Sequence, residues 1–266
     1  MKQRIISAIV MLLIVIPVFI IGGNVFKLAI FLVAMLGMKE YLDIKETKKD
    51  LPIFIKLMGY LFIPLILFTV HVTEDLNMIV DFRIITGLLM ILLLPVVLYH
   101  NRNTYSINDA NYVFMGVMFL GIAMSLFNTY FDMNSNLLLY LILITVMTDT
   151  FAYITGMLIG RHKLLEIISP KKTWEGLIGG TVFGVFIATC FYVTVVNSSI
   201  SLPIIIFSTF VLAIVGQLGD LFFSAIKRYF GKKDFSNLMP GHGGILDRLD
   251  SIIFVLLAYS FFLTIL

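Results

Sequence analysis

Asp149 is the one acidic or basic side chain in 137-LLLYLILITVMTDTFAYITGMLIG-160. As a helix this stretch would be about 36 Å long, and a bilayer's hydrocarbon core is roughly 30 Å thick. Runs of the same kind lie on either side of it, at 5–22, 26–42, 53–72, 83–100, 111–130, 176–196, 203–226 and 245–265. The chain is 60% hydrophobic and 13% charged, with a mean hydropathy of +1.03, whereas a soluble domain carries roughly a quarter charged residues. A membrane β-barrel needs short alternating segments, and the pattern here is continuous. The sequence therefore predicts an all-α, polytopic integral membrane protein with about nine transmembrane helices. Lys2 and Arg4 before the first run resemble a signal peptide, but no small-residue cleavage pattern follows, and the run is kept as a span. The chain reads as a single membrane-embedded domain over 1–266, with N-terminal helices in 1–136 and the residues suited to chemistry in 137–266. Cys190, the only cysteine, excludes an intramolecular disulfide and a cysteine-based metal cluster; it is expected to pack as a small hydrophobe.

Basic residues orient the spans. With the N-terminus cytoplasmic and nine crossings, every one of the 19 Lys and Arg residues except Lys27 and Arg83 falls on the inner side, as the positive-inside rule requires. The outer connections are short and neutral or acidic (Glu74, Asp75, Asp81, Asp132 and 197-NSSISLP-203). The inner loops 161–175 and 227–244 are basic and contain Gly and Pro, which places a soluble ligand at the cytoplasmic face.

Acids within the spans come next, because a carboxylate at bilayer depth costs about 2.5–3.5 kcal/mol and needs a polar partner. Asp149 lies midway along its span. Asp220 lies in 216-GQLGDLFFS-224, and Asp247 and Asp250 lie in 243-GGILDRLDS-251. The last two share a helix face at i, i+3, and Gly216, Asp220, Ser224 and Arg228 recur at every fourth residue. Two helix ends could thus direct three carboxylates into one pocket. Such hard oxygen donors suit Mg²⁺, which takes one or two carboxylates plus substrate phosphates. The bland alternatives are that Asp247 caps a helix and that Asp149 bonds a neighbouring helix. Ser224, Lys227, Arg228, Lys232, Lys233 and Asp234 interleave cations with acids ahead of 240-PGHGG-244, which points to an anionic, metal-bound ligand. Gly243 and Gly244 before a helix start could cradle a phosphate. In 169-SPKKTWEGLIGG-180, Ser169 and Pro170 read as a turn and Thr173 as a helix cap. Lys171 and Lys172 there would bind phosphate or anchor the chain to anionic lipid. Gly176, Gly180, Gly184 and Ala188 form a close-packing stripe, matched by Ala152, Gly156 and Gly160. His71 and His100 sit at span ends and His162 is ambiguous. His242 is the histidine assigned to the site.

The run 224-SAIKRYFGKKDFSNLMPGHGGILDRLD-250 closely resembles the signature of phosphatidate cytidylyltransferases, also called CDP-diglyceride synthases. The stretches 148-TDTFAYITG-156 and 169-SPKKTWEG-176 agree with it. The resemblance implies transfer of CMP from CTP to phosphatidate, giving CDP-diacylglycerol and pyrophosphate in phospholipid biosynthesis at the inner cell membrane. It also implies an all-helical fold, Mg²⁺ with a second, monovalent cation as a further candidate, and a homodimer, with no nucleic acid polymer as partner. Carried over by position, Asp220, Asp247 and Asp250 form the metal centre. Lys227, Arg228, Lys233 and His242 belong to the nucleotide and phosphate pocket, and Asp149, Lys171 and Lys172 lie nearby. Ser224, Asp234, Gly243 and Gly244 complete the candidate CTP site. One position departs: many members have Glu where this chain has Phe223. Two other functions compete. A CTP-dependent polyprenol or phytol kinase would move the γ-phosphoryl group instead. A cation or proton transporter would need ionisable groups along a full path, and the outer halves of the last three spans carry none.

Overall fold

The computed structural model describes residues 2–69, 71–72, 78–79, 81–99, 104–197 and 199–263. Glu74, Asp75, His100, Arg102 and Ser198 lie outside the described residues, as do the side chains of Lys2, Arg4 and His71. Among the described residues are nine α-helices: α1 (Lys2–Ile21), α2 (Gly23–Glu46), α3 (Ile53–Thr69), α4 (Phe82–Leu98), α5 (Ile107–Met133), α6 (Ser135–Ile159), α7 (Trp174–Phe191), α8 (Leu202–Tyr229) and α9 (Leu246–Leu263). Each falls on one of the nine apolar runs. Four of them, α5, α6, α7 extended by a π-turn (Tyr192–Val196), and α8, are long and apolar enough to cross a membrane. The protein is accordingly a membrane protein. A helix suits this solvent because it satisfies its backbone polar groups internally. The prolines inside α1, α3 and α4 (Pro17, Pro64, Pro95) are of the kind such helices tolerate.

Two small antiparallel pairs depart from the all-helical expectation: β1 (His71–Val72) with β2 (Met78–Ile79), and β3 (Lys163–Leu165) with β4 (Ser169–Thr173). Ser169 and Pro170, expected to turn, instead open β4. The chain reverses just before them, where the Ile168 N–H donates to Leu165 O at 3.3 Å. Thr173 does cap α7, its Oγ1 accepting from Gly176 N at 3.1 Å.

The chain forms two compact units. The first comprises Met1–Thr129 and Phe230–Arg248, the second Tyr130–Tyr229 and Leu249–Leu266. Residues 230–248 therefore group with the N-terminal helices, a partition that chain order does not announce. In the first unit the Tyr41 and Tyr112 rings stack at 4.3 Å. The Tyr112 hydroxyl donates to Tyr41 O at 2.8 Å. Gly116 makes this possible, since a Cβ there would stand 2.3 Å from the Tyr41 ring. Asp109, almost fully buried, accepts from Lys45 at 2.7 Å and Lys49 at 2.5 Å.

In the second unit α6 lies against α7 and α8. The glycine stripe is the seam. A Cβ on Gly180 would meet Thr148 O at 2.5 Å, and one on Gly176 would meet Ala152 O at 2.7 Å. Backbones approach this closely only where side chains are missing. Gln217 of α8 donates to Thr181 of α7 at 2.9 Å. Cys190, expected to be packed, is exposed on α7, which is the lipid-facing condition for a helix in a bilayer.

Candidate active site

A helix begins with N–H groups that have no intrahelical partner. At α9 two carboxylates meet them. Asp247, in the first turn, reaches back so that its Oδ2 accepts from Gly244 N at 2.8 Å and from Phe235 N at 2.9 Å. Glu40, from α2, accepts from Ile245 N on Oε1 and Leu246 N on Oε2, both at 2.9 Å, and from the Ser236 hydroxyl at 2.6 Å. Acids at this end also oppose the positive pole of the helix.

The loop 231–245 is closed on itself as well. Met239 and Gly243 exchange backbone hydrogen bonds at 2.9 and 3.1 Å, and Arg248 donates twice to His242 O. Gly243 takes a positive φ of 84°, a conformation glycine adopts without penalty. The amides of Gly243 and Gly244, expected to cradle a phosphate, are thus engaged within the loop. A phosphate would have to displace a carbonyl or a carboxylate to use them. His242 Nδ1 lies 2.6 Å from the Ser7 hydroxyl. Lys233 and Asp234 are exposed. With Asp43, Ile44, Lys232 and Phe235 they border a cavity of about 370 Å³.

The second unit gathers the other acids. Asp250 is buried, with its Oδ1 accepting from Ser251 N at 2.9 Å. It stands within electrostatic reach of Asp220 and Asp149, with Lys227 as counter-charge. Asp220 pairs with Lys172 of β4 at 2.5 Å and accepts from the Ser224 hydroxyl at 3.3 Å. Arg228, further along α8, donates from Nε to Ile168 O at 3.1 Å. The hairpin β3–β4 is therefore fastened to the C-terminal part of α8 at two points. Lys227 is buried and Lys171 is exposed. His162 pairs with Glu175 at 2.6 Å.

Among the described residues, no three His, Cys, Asp or Glu side chains come close enough to hold a metal ion together. Magnesium asks for less: one or two carboxylates, with phosphate and water oxygens supplying the rest. Asp220 and Asp250 supply oxygen donors of that type, Asp220 already paired with Lys172 and Asp250 buried. Asp247, expected as the third of the set, uses one oxygen on its own loop.

The family model for the cytidylyltransferase family matches residues 2–266. The chain belongs to the cytidylyltransferase family. Its relatives include proteins named phosphatidate cytidylyltransferase from Staphylococcus haemolyticus (37% identical over 261 residues), Staphylococcus epidermidis (38% over 259) and Staphylococcus aureus (35% over 257). In each case 96% of both chains is covered.

For this cytidylyltransferase the resemblance led to an expected Glu at position 223, where the chain has Phe223. Phe223 is buried with its ring 6.3 Å from Phe254 and 5.8 Å from Phe222. That apolar setting would leave a carboxylate without water. Two acids were missed in the sequence, Glu40 and Asp109. The signal that marks Asp149 also applies to Glu40, an acid inside the run 26–42.

Proposed function

We propose that this enzyme transfers CMP from CTP to phosphatidate, giving CDP-diacylglycerol and pyrophosphate. The observation that carries the reading is the Asp220–Lys172 ion pair at 2.5 Å, in the unit that also buries Asp250 and Lys227, in a chain whose relatives bear that activity in their names. Acids and cations at one place suit a polyanionic substrate bound with a divalent ion. They do not suit a ligand of either charge alone.

CTP is water-soluble and phosphatidate is held in the bilayer, so the reaction belongs at an interface. The positive-inside distribution supports an interface on the cytoplasmic side of the inner membrane, with nine spans and the N-terminus inside. Lys233 and Asp234 are proposed contacts for the nucleotide. Asp220 and Asp250 would hold Mg²⁺, with Asp247, on the same face of α9, as third candidate ligand; the ion would neutralise phosphate charge. A monovalent cation and a homodimer belong to the same proposal.

The protein's own groups account for the rest. The lipid phosphate is mostly dianionic at neutral pH because its second pKa is near 6. It needs no general base. Its oxygen forms a bond to the α-phosphorus while the bond from that phosphorus to the bridging β-oxygen breaks, and pyrophosphate leaves with the electron pair. The obstacle is repulsion between two anions, and Lys172, Lys227 and Arg228 offset it. His242 and Ser224 orient phosphate oxygens by hydrogen bonding.

Incubating the purified protein with Mg²⁺, phosphatidate and CTP labelled at either the α- or the γ-phosphate tests the reading. Label from the α-position should enter the lipid, with pyrophosphate released in equal amount. Label arriving from the γ-position would make the enzyme a lipid kinase instead.

A further inference from the structure

We propose that Glu40 is a positioning residue for catalysis, fixing the start of α9 and through it the carboxylates of Asp247 and Asp250. This rests on the functional reading above. Glu40 is 4% exposed, among the buried residues of α2. Both of its oxygens are engaged, and every donor comes from the segment 236–246: the Ser236 hydroxyl, Ile245 N and Leu246 N.

The sequence around it is shaped for this contact. A Cβ at Gly244 would lie 2.5 Å from both carboxylate oxygens of Glu40, and a Cβ at Gly243 would lie 2.7 Å from Asp247 Oδ2. The two glycines thus admit two protein carboxylates to one helix start. Gly37, one turn before Glu40, leaves room for Leu246, whose Cδ2 would stand 3.3 Å from a Cβ there. Helix α2 therefore grips α9 with an apolar notch and an anionic hook, three residues apart. Charged hydrogen bonds of this kind are about twice as strong as neutral ones. Asp247 lies one residue beyond the last amide that Glu40 holds, and Asp250 one turn further. A shift of that helix start would carry both with it, and misplacement by 1 Å can cost about a hundredfold in rate.

The test compares Glu40→Ala, Glu40→Gln and wild type by steady-state kinetics and by hydrogen exchange of peptides covering 236–250. The expected result for Glu40→Ala is a kcat lowered about a hundredfold, KM for CTP and phosphatidate nearly unchanged, and faster exchange at 244–246. Glu40→Gln keeps one acceptor oxygen and should recover most of the lost kcat. Wild-type kcat in Glu40→Ala, or a loss without faster exchange, would overturn the proposal. Should Glu40→Ala fail to accumulate, Glu40→Gln and Gly244→Ala decide. Gly244→Ala with a lowered kcat at constant KM, beside a Glu40→Gln that keeps most of its activity, supports the proposal, and full activity in Gly244→Ala defeats it. A wild-type protein inactive with CTP and phosphatidate counts against the functional reading. Exchange at 244–246 then judges Glu40 by itself.

Discussion

One oxygen of Asp247 holds two backbone N–H groups, so its replacements separate architecture from chemistry. Asparagine retains an acceptor there. Asp247→Asn should keep its melting temperature in detergent while losing turnover by about ten- to a hundredfold, the scale seen when groups around a metal are altered. Asp247→Ala removes the acceptor too, and should also unfold more easily by about 1 kcal/mol. Measuring both properties for both variants checks the division of labour. At this scale an acid that interrupts an apolar run stands out in the sequence, and Asp149, Asp220 and Asp250 were singled out by that rule. The reach of Asp247 back to Gly244 was only one of two readings, because spacing cannot say which way a carboxylate turns. Glu40 escaped because its donors lie some 200 residues away in sequence.

Helices α6 and α7 meet through glycine, and here the periodicity was decisive. A repeat of small residues at every fourth position leaves one face bare, and a bare face in lipid has few uses besides close packing. Gly180→Leu should therefore separate the pair, because its Cβ alone would come within 2.5 Å of a backbone oxygen. A destabilisation of about 1–3 kcal/mol is expected, read as a lower thermal midpoint of the purified protein. The hairpin β3–β4 was not legible. Pro170 next to Ser169 has the composition of a turn, yet a two-stranded ribbon is all edge, and an edge strand accepts proline. What holds the ribbon is distant: Lys172 on Asp220 and Arg228 on Ile168 O. Lys172→Ala should loosen it, giving faster hydrogen exchange over 163–173 together with weaker activity. Unchanged exchange there would show that the ion pair does not hold the ribbon.

For the molecule as a whole, the distribution of Lys and Arg assigns a side of the membrane to each loop. In a Cys190→Ser background, Lys232→Cys should react with an impermeant maleimide only in inside-out vesicles, and Lys27→Cys only in right-side-out ones. The opposite pattern would invert the proposed orientation. Helix number and type could be read along the chain because apolar length is a local property. The partition into two units could not, since residues 230–248 return to helices made at the beginning.

That return has a temporal side. The ribosome adds about 5–20 residues per second, and Glu40 precedes its partners Ser236, Ile245 and Leu246 by 196, 205 and 206 positions. For roughly 10–40 seconds of synthesis the nascent N-terminal helices must carry an acid whose eventual donors do not yet exist. A message cut short before codon 236 would leave it without any of the three.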